Sequence, residues 1–212
     1  MRVLKLSAIL FILVLSAGAL ANSASAANPE FLDNVTGNTF WGESAVGRLK
    51  AGAFTIECKK DMFFIPSGKV TGSKTLEAPI AFENCQLLGL ATNSLGDPAK
   101  TILVAAKGTL CYISKAAKTV GVEFQITPVH IEVPSVGELV EVTGTALGAV
   151  KTVNTLSTAN TITLNETTSK EKCEGGKAVE LKTEKEHDGK LEAGLETTTE
   201  EVTFDKDIEL DA

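Results

Sequence analysis

Apolar residues recur at every second position through long stretches of the chain, the period of a strand that shows one face to a core and the other to water. The alternation is cleanest at Val120, Val122, Phe124 and Ile126, set against Gly121, Glu123, Gln125 and Thr127, and it resumes after Pro128 at Val129, Ile131 and Val133. Within 51–59, Phe54, Ile56 and Cys58 alternate with Thr55, Glu57 and Lys59, which predicts a half-buried strand with Cys58 on the core side. The near-continuous run Ile102 to Ala106, inside 101–113, predicts a central strand covered on both faces, with Gly108 allowing a bend or bulge. Other strands are expected at 61–66, broken by Gly68 and Gly72, and at Ile80 and Phe82 before Cys85. More follow over 139–145, 149–155 and 161–164, at Val179 and Leu181, and over 191–195 and 202–210. Asn93, Ser94, Gly96 and Asp97-Pro98 mark a loop over 91–99, Pro134 to Gly137 a turn, and 167–177 a polar loop.

About ten short strands with turn signals between them, and no helical repeat after residue 26, predict an all-β fold. The expected architecture is an antiparallel two-sheet sandwich of jelly-roll or Greek-key type, with a partly closed β-barrel as the alternative. Residues 51–212 read as its single domain. Residues 27–50 hold Pro29, Gly37, Gly42 and Gly47 with little periodicity, and read as a loosely structured segment that docks Phe31, Phe40 or Trp41.

The chain opens differently. Arg2 and Lys5 precede an uncharged apolar run from Ala8 to Leu20, and Ala24-Ser25-Ala26 offers the small-x-small pattern of a signal-peptidase site. Residues 1–26 are therefore expected to be a cleaved export signal, too short in its apolar run to span a bilayer. The expected product is secreted, extracellular and not membrane-embedded, and no Cys stands at the cleavage point to take a lipid anchor.

Export changes the reading of Cys58, Cys85, Cys111 and Cys173. In an oxidising compartment four thiols allow three pairings, and Cys58 with Cys85 and Cys111 with Cys173 is preferred because neighbouring strands usually pair. Zinc binding would ask for a CxxC pair or more than the two histidines present. Acids outnumber bases fourteen to seven over 170–212 and thirteen to eleven over 27–169. Such a chain repels phosphate backbones, so no nucleic-acid partner is expected, and the acidic end reads as a solvated face.

Candidate chemistry is sparse. His130 and His187 are the available bases for a nucleophile, and no Gly-x-Ser-x-Gly elbow accompanies them. His130 and Glu132 share one strand face and could meet, while His187 sits in a charged turn. Ser169 to Lys172 matches Ser-x-x-Lys without its companion motifs. A carboxylate-pair hydrolase would draw on Glu57, Glu123, Glu132 or Glu141, but sugar platforms are few, with Trp41 and Tyr112 alone. Asp205, Asp207, Glu209 and Asp211 alternate along the last strand, which reads as a charged edge that discourages aggregation rather than a calcium loop. The pairs Thr143/Thr145 and Thr161/Thr163 are too few for an ice-binding array. Asn34 and Asn165 head glycosylation sequons that matter only in a eukaryotic host.

The segments 54–60 (Phe-Thr-Ile-Glu-Cys-Lys-Lys), 68–72, 80–85 (Ile-Ala-Phe-Glu-Asn-Cys), 107–113, 119–124 and 202–210 together resemble a group of uncharacterised secreted bacterial proteins. That resemblance implies export and β architecture and carries no reaction, ligand or site residue. The expectation is a non-enzymatic secreted protein, without cofactor, catalytic residue or metal site, that binds an extracellular ligand or partner or serves a structural role. A secreted hydrolase using a carboxylate pair is the alternative.

Overall fold

The computed structural model describes residues 28–32, 35–44, 46–51, 54–164, 171–185 and 191–212, with side chains at 51, 61–66 and 191–200 outside that description. Residues 1–26, expected to be a cleaved export signal, lie outside it too. The described residues form sixteen strands and no helix. They are β1 (Glu30–Phe31), β2 (Thr39–Ser44), β3 (Gly47–Ala51), β4 (Phe54–Cys58), β5 (Lys60–Val70), β6 (Thr75–Glu83), β7 (Gln86–Leu87) and β8 (Leu90–Ala91). Then come β9 (Asn93–Ser94), β10 (Thr101–Ser114), β11 (Thr119–Val133), β12 (Glu138–Val150), β13 (Ser157–Leu164), β14 (Leu181–Lys185), β15 (Leu191–Ile208) and β16 (Leu210–Asp211).

Eight of these close a ring. Their order is β2, β5, β6, β10, β11, β12, β13, β15, and β15 returns to β2, every contact being antiparallel. This is an up-and-down barrel, and it replaces the expected two-sheet sandwich with the barrel alternative. Alternation alone could not decide between them, because both bury one face of each strand. What closes the ring is the pairing of Glu201 to Phe204 with Phe40 to Glu43, between strands far apart in sequence. Residues 39–44, expected to be loose, are thus a barrel stave.

Inward positions follow one phase. On β10 they are Ile102, Val104, Ala106, Gly108, Leu110 and Tyr112, and on β6 they are Leu76, Ala78, Ile80 and Phe82. The outward face of β10 is open, with Leu103 at 39% exposure, so this strand is not covered on both sides as expected. Gly108 makes no bulge either: its pairing runs unbroken on both flanks, and its missing side chain admits Leu76 and Val122. The bulge falls at Thr127-Pro128 of β11, between the pairs Ile126 with Gly144 and Val129 with Val142. One extra residue there shifts the inward set from even to odd numbers, so Ile126 and Val129 both face the core. β12 likewise runs unbroken to Val150, where two strands were expected.

Glu77, Lys107, Glu123, Gln125 and Glu141 lie on the outer face while the interior is apolar. A membrane barrel carries the reverse pattern, an apolar belt outside and a polar lumen.

The lower end of the barrel is nearly filled, leaving about 20 Å³ among its side chains. Phe40 and Phe204 meet with ring centroids 5.4 Å apart, Leu110, Val122, Val150 and Ile162 join them, and Phe31 paired with Leu210 closes the floor. Val202 to Phe204 lie between β13 and β2, so the last strand is internal here and not the charged edge expected.

Candidate functional site

The upper end is built from different parts. At this level β14 takes the place of β13 between β12 and β15, and β3 takes the place of β2 beside β15. β4 follows β3 and runs into β5, while β9 wedges beside Ile131 and Glu132 of β11, its Ser94 Oγ accepting from the Leu103 N–H at 2.7 Å. Inserted strands widen a barrel, and side chains that fill the narrow end do not fill the wide one.

A cavity of about 60 Å³ results, at the level where the staves are exchanged. Its walls are Ile80, Phe82, Ile102, Val104, Phe124, Ile126, Val129, Ile131 and Val142 from the through-going strands, and Leu164 and Leu181 from the β13-to-β14 exchange. Ala106 contributes to the lining toward the filled end, and Gly47, Leu49, Ile56 and Cys58 of the β3–β4 hairpin close the side. Arg48 also borders the space, but it occupies an outward position of β3, where its Nε donates to Glu57 Oε2 at 2.9 Å. The described side chains turned into the cavity are hydrocarbon, apart from the sulfur of Cys58. By volume the space is about four times the ~15 Å³ one water requires, and with no polar group to hold water such a space stays dry and accepts apolar molecules.

The cysteines stand as Cys58 bonded to Cys85 and Cys111 bonded to Cys173. All four are thereby removed from metal ligation. The first bridge ties the β3–β4 hairpin to the end of β6 beside the cavity. The second pins the segment 171–180 over the outside of the barrel, where Leu147, Cys173 and Val179 form a small separate core with Cys111 and Ile113. Glu174 reinforces it, its Oε2 accepting from the Lys115 N–H at 2.6 Å.

The polar residues singled out in the sequence lie on the outer wall. Glu132 does not turn to His130; its Oε1 accepts from Asn93 Nδ2 at 2.7 Å, which satisfies an amide on the buried β9. Glu57 pairs with Arg48, and Glu123 Oε2 lies 3.2 Å from Cys173 Sγ. His130, Glu141 and Glu184 are successive Cα partners across β11, β12 and β14 and form one outward row. Asp205 Oδ1 accepts from the Thr39 N–H at 3.1 Å, and Asp205, Asp207 and Asp211 are exposed. Thr145 Oγ1 accepts from the Glu180 N–H, a structural use of one threonine pair. His187, Ser169, Lys170, Asn34 and Asn165 fall outside the described residues.

The cavity residues themselves were legible only as core. Ile102, Phe124 and Val129 carry the same alternating signal as Val122 or Leu110, which border only about 20 Å³ of space, and nothing in the chain distinguishes the two sets.

No protein-family model matches this chain, and no curated protein or solved structure matches it.

Proposed function

We propose that this is an exported, non-enzymatic binding protein that holds a small uncharged apolar molecule inside the upper end of its barrel. The cavity carries the reading: it lies within the wall of strands, is lined with hydrocarbon and is built at the widened end. Eight-stranded barrels commonly either fill their interior or hold one small ligand, and this one does the first below and the second above. Enzymatic use of the interior would require a polar group aimed into it, and the described inward side chains supply none. The carboxylates that could serve a hydrolase lie on the convex outside, and Glu57 and Glu132 are each engaged with a neighbouring side chain. The Cys58–Cys85 and Cys111–Cys173 bridges suit an extracellular location.

The test is ligand-dependent stability. Toluene at a hundred times its dissociation constant should stabilise the folded protein by about 2.7 kcal/mol, since it binds the folded state alone. For a domain this size that is a rise of roughly 5–10 °C in Tm. The Ala106→Leu variant, which extends a side chain into the space, should fold and show no such rise. A wild-type Tm unmoved by toluene and by smaller apolar solutes would refute the function.

A further inference from the structure

Resting on that reading, we infer that an apolar molecule enters the cavity through a wedge in the wall between β10 and β11, and that the Ser94 hydroxyl is its latch.

The wedge lies where two staves part. β10 and β11 are partners from Ser114 with Thr119 to Ala106 with Ile126, and there their register ends. A few residues higher β9 stands between them: Ser94 is the Cα partner of Ile131 and Asn93 of Glu132, and the Leu95 N–H donates to His130 O at 2.8 Å. Strands that neighbour each other at about 5 Å stand roughly 10 Å apart once a third is inserted. Val104 and Ala105 on one lip, and Thr127, Pro128 and Val129 on the other, span this widening and are not Cα partners across it. The cavity lies directly behind, since Val104, Ala106, Ile126 and Val129 all line it. Val104 is only half-buried, although Ile102 and Ala106 on either side of it along the same face are buried. Leu95 and Leu103, at 58% and 39% exposure, give the outer side of the wedge hydrocarbon as well.

Both lips are backed by a neighbour, but the strand between them is secured on one flank. β10 keeps its pairing with β6 from Thr101 to Thr109, and β11 keeps β12 on either side of its bulge. β9 is tied to β11 by the pairs above and by Asn93 Nδ2, which donates to Glu132 Oε1, while the Thr92 N–H donates to Cys85 O at 3.2 Å. Toward β10 it has no ladder. Among the described residues the hydrogen bonds from β9 to β10 are those of Ser94 Oγ, which accepts from the Leu103 N–H at 2.7 Å and lies 3.5 Å from Leu103 O. Local opening is easiest where fewest bonds must break together, and here one hydroxyl parts from one residue's backbone.

Removing that hydroxyl tests the route. Ser94→Ala should speed the exchange of hexafluorobenzene, followed by 19F NMR, at least threefold, whereas Gly68→Ala, which destabilises the far end, should leave the rate within about a factor of two of wild type. No acceleration in Ser94→Ala, or the same acceleration in both variants, overturns the wedge. If the wild type takes up no probe, the function fails separately; amide hydrogen exchange of the wild type then judges the opening alone, as it does if Ser94→Ala fails to fold. The Leu103 N–H faces Ser94, and that of Val104, by strand alternation, faces Ile80 of β6. Leu103 exchanging at least tenfold faster than Val104 supports the opening, and equal protection of the two overturns it.

Discussion

Phe40 of β2 lies over Gly68 of β5, its partner across the strand pair, so closely that a Cβ at position 68 would run into the aromatic ring. The contact seats an aromatic ring of the lower core against bare backbone and leaves Phe40 beside Phe204, its Cα partner on neighbouring β15. Gly68, which reads in sequence as a strand breaker, is what allows β5 to continue.

Gly68→Ala should therefore destabilise the protein by about 1–3 kcal/mol through overpacking. Urea titration measures this. Phe40→Ala, which empties the same site instead, should cost more, about 3–5 kcal/mol. If the glycine variant is as stable as wild type, the ring and the backbone are not in contact as described.

Deleting Pro128 is expected to be far worse than substituting it. The extra residue of the bulge sets the phase of Val129, Ile131 and Val133, and its loss would turn all three outward or break the pairing with β12. Pro128→Ala keeps the count and should fold, whereas the deletion should show neither a cooperative thermal transition nor dispersed methyl signals by NMR.

The two bridges should be separable. Chain-entropy estimates give about 3.5 kcal/mol for the 27-residue separation of Cys58–Cys85 and about 4.3 for the 62 of Cys111–Cys173. Cys111→Ala/Cys173→Ala releases a segment on the outside, so stability should fall while the Tm rise with toluene remains. Non-reducing peptide mapping should recover both pairs; any crossed pair contradicts the structure.

Asn93→Ala removes the amide that donates to Glu132 and to Ser94 O. Glu132 is half-buried, so the loss should be about 1–2 kcal/mol, toward the low end for a hydrogen bond to a charged group. Probe binding should persist, because this contact lies in the outer wall. A value near zero by thermal unfolding would mean water replaces the amide.

Period-two alternation named most of the staves and put Ile56, Cys58, Phe124 and Ile131 on the inside, because a strand's faces are set by local geometry. It misplaced Gly68 and Gly108, where a missing Cβ serves a neighbour across the sheet and not a turn. It passed over 39–44 as well: Phe40 and Gly42 face inward, but Trp41 at 44% exposure and the glycine itself disguise the alternation. Whether the sheet split into two layers or closed depended on β15 meeting β2, a pairing with no local signature. The site was hidden for the same reason. Its emptiness arises where β13 yields to β14 and β2 to β3, and no single residue records that exchange.

The stave that completes the ring is synthesised long after the partner it closes on. Until Val202 to Phe204 reach Phe40 to Gly42, some 160 residues away, the polypeptide is an open ribbon with two sticky margins and a greasy concave surface. Productive folding must therefore wait until residues 202–204 are available, and loop closure over such a distance makes that docking slow. A chain shortened before residue 202 would be left as a template for its own self-association rather than as a smaller version of the same vessel.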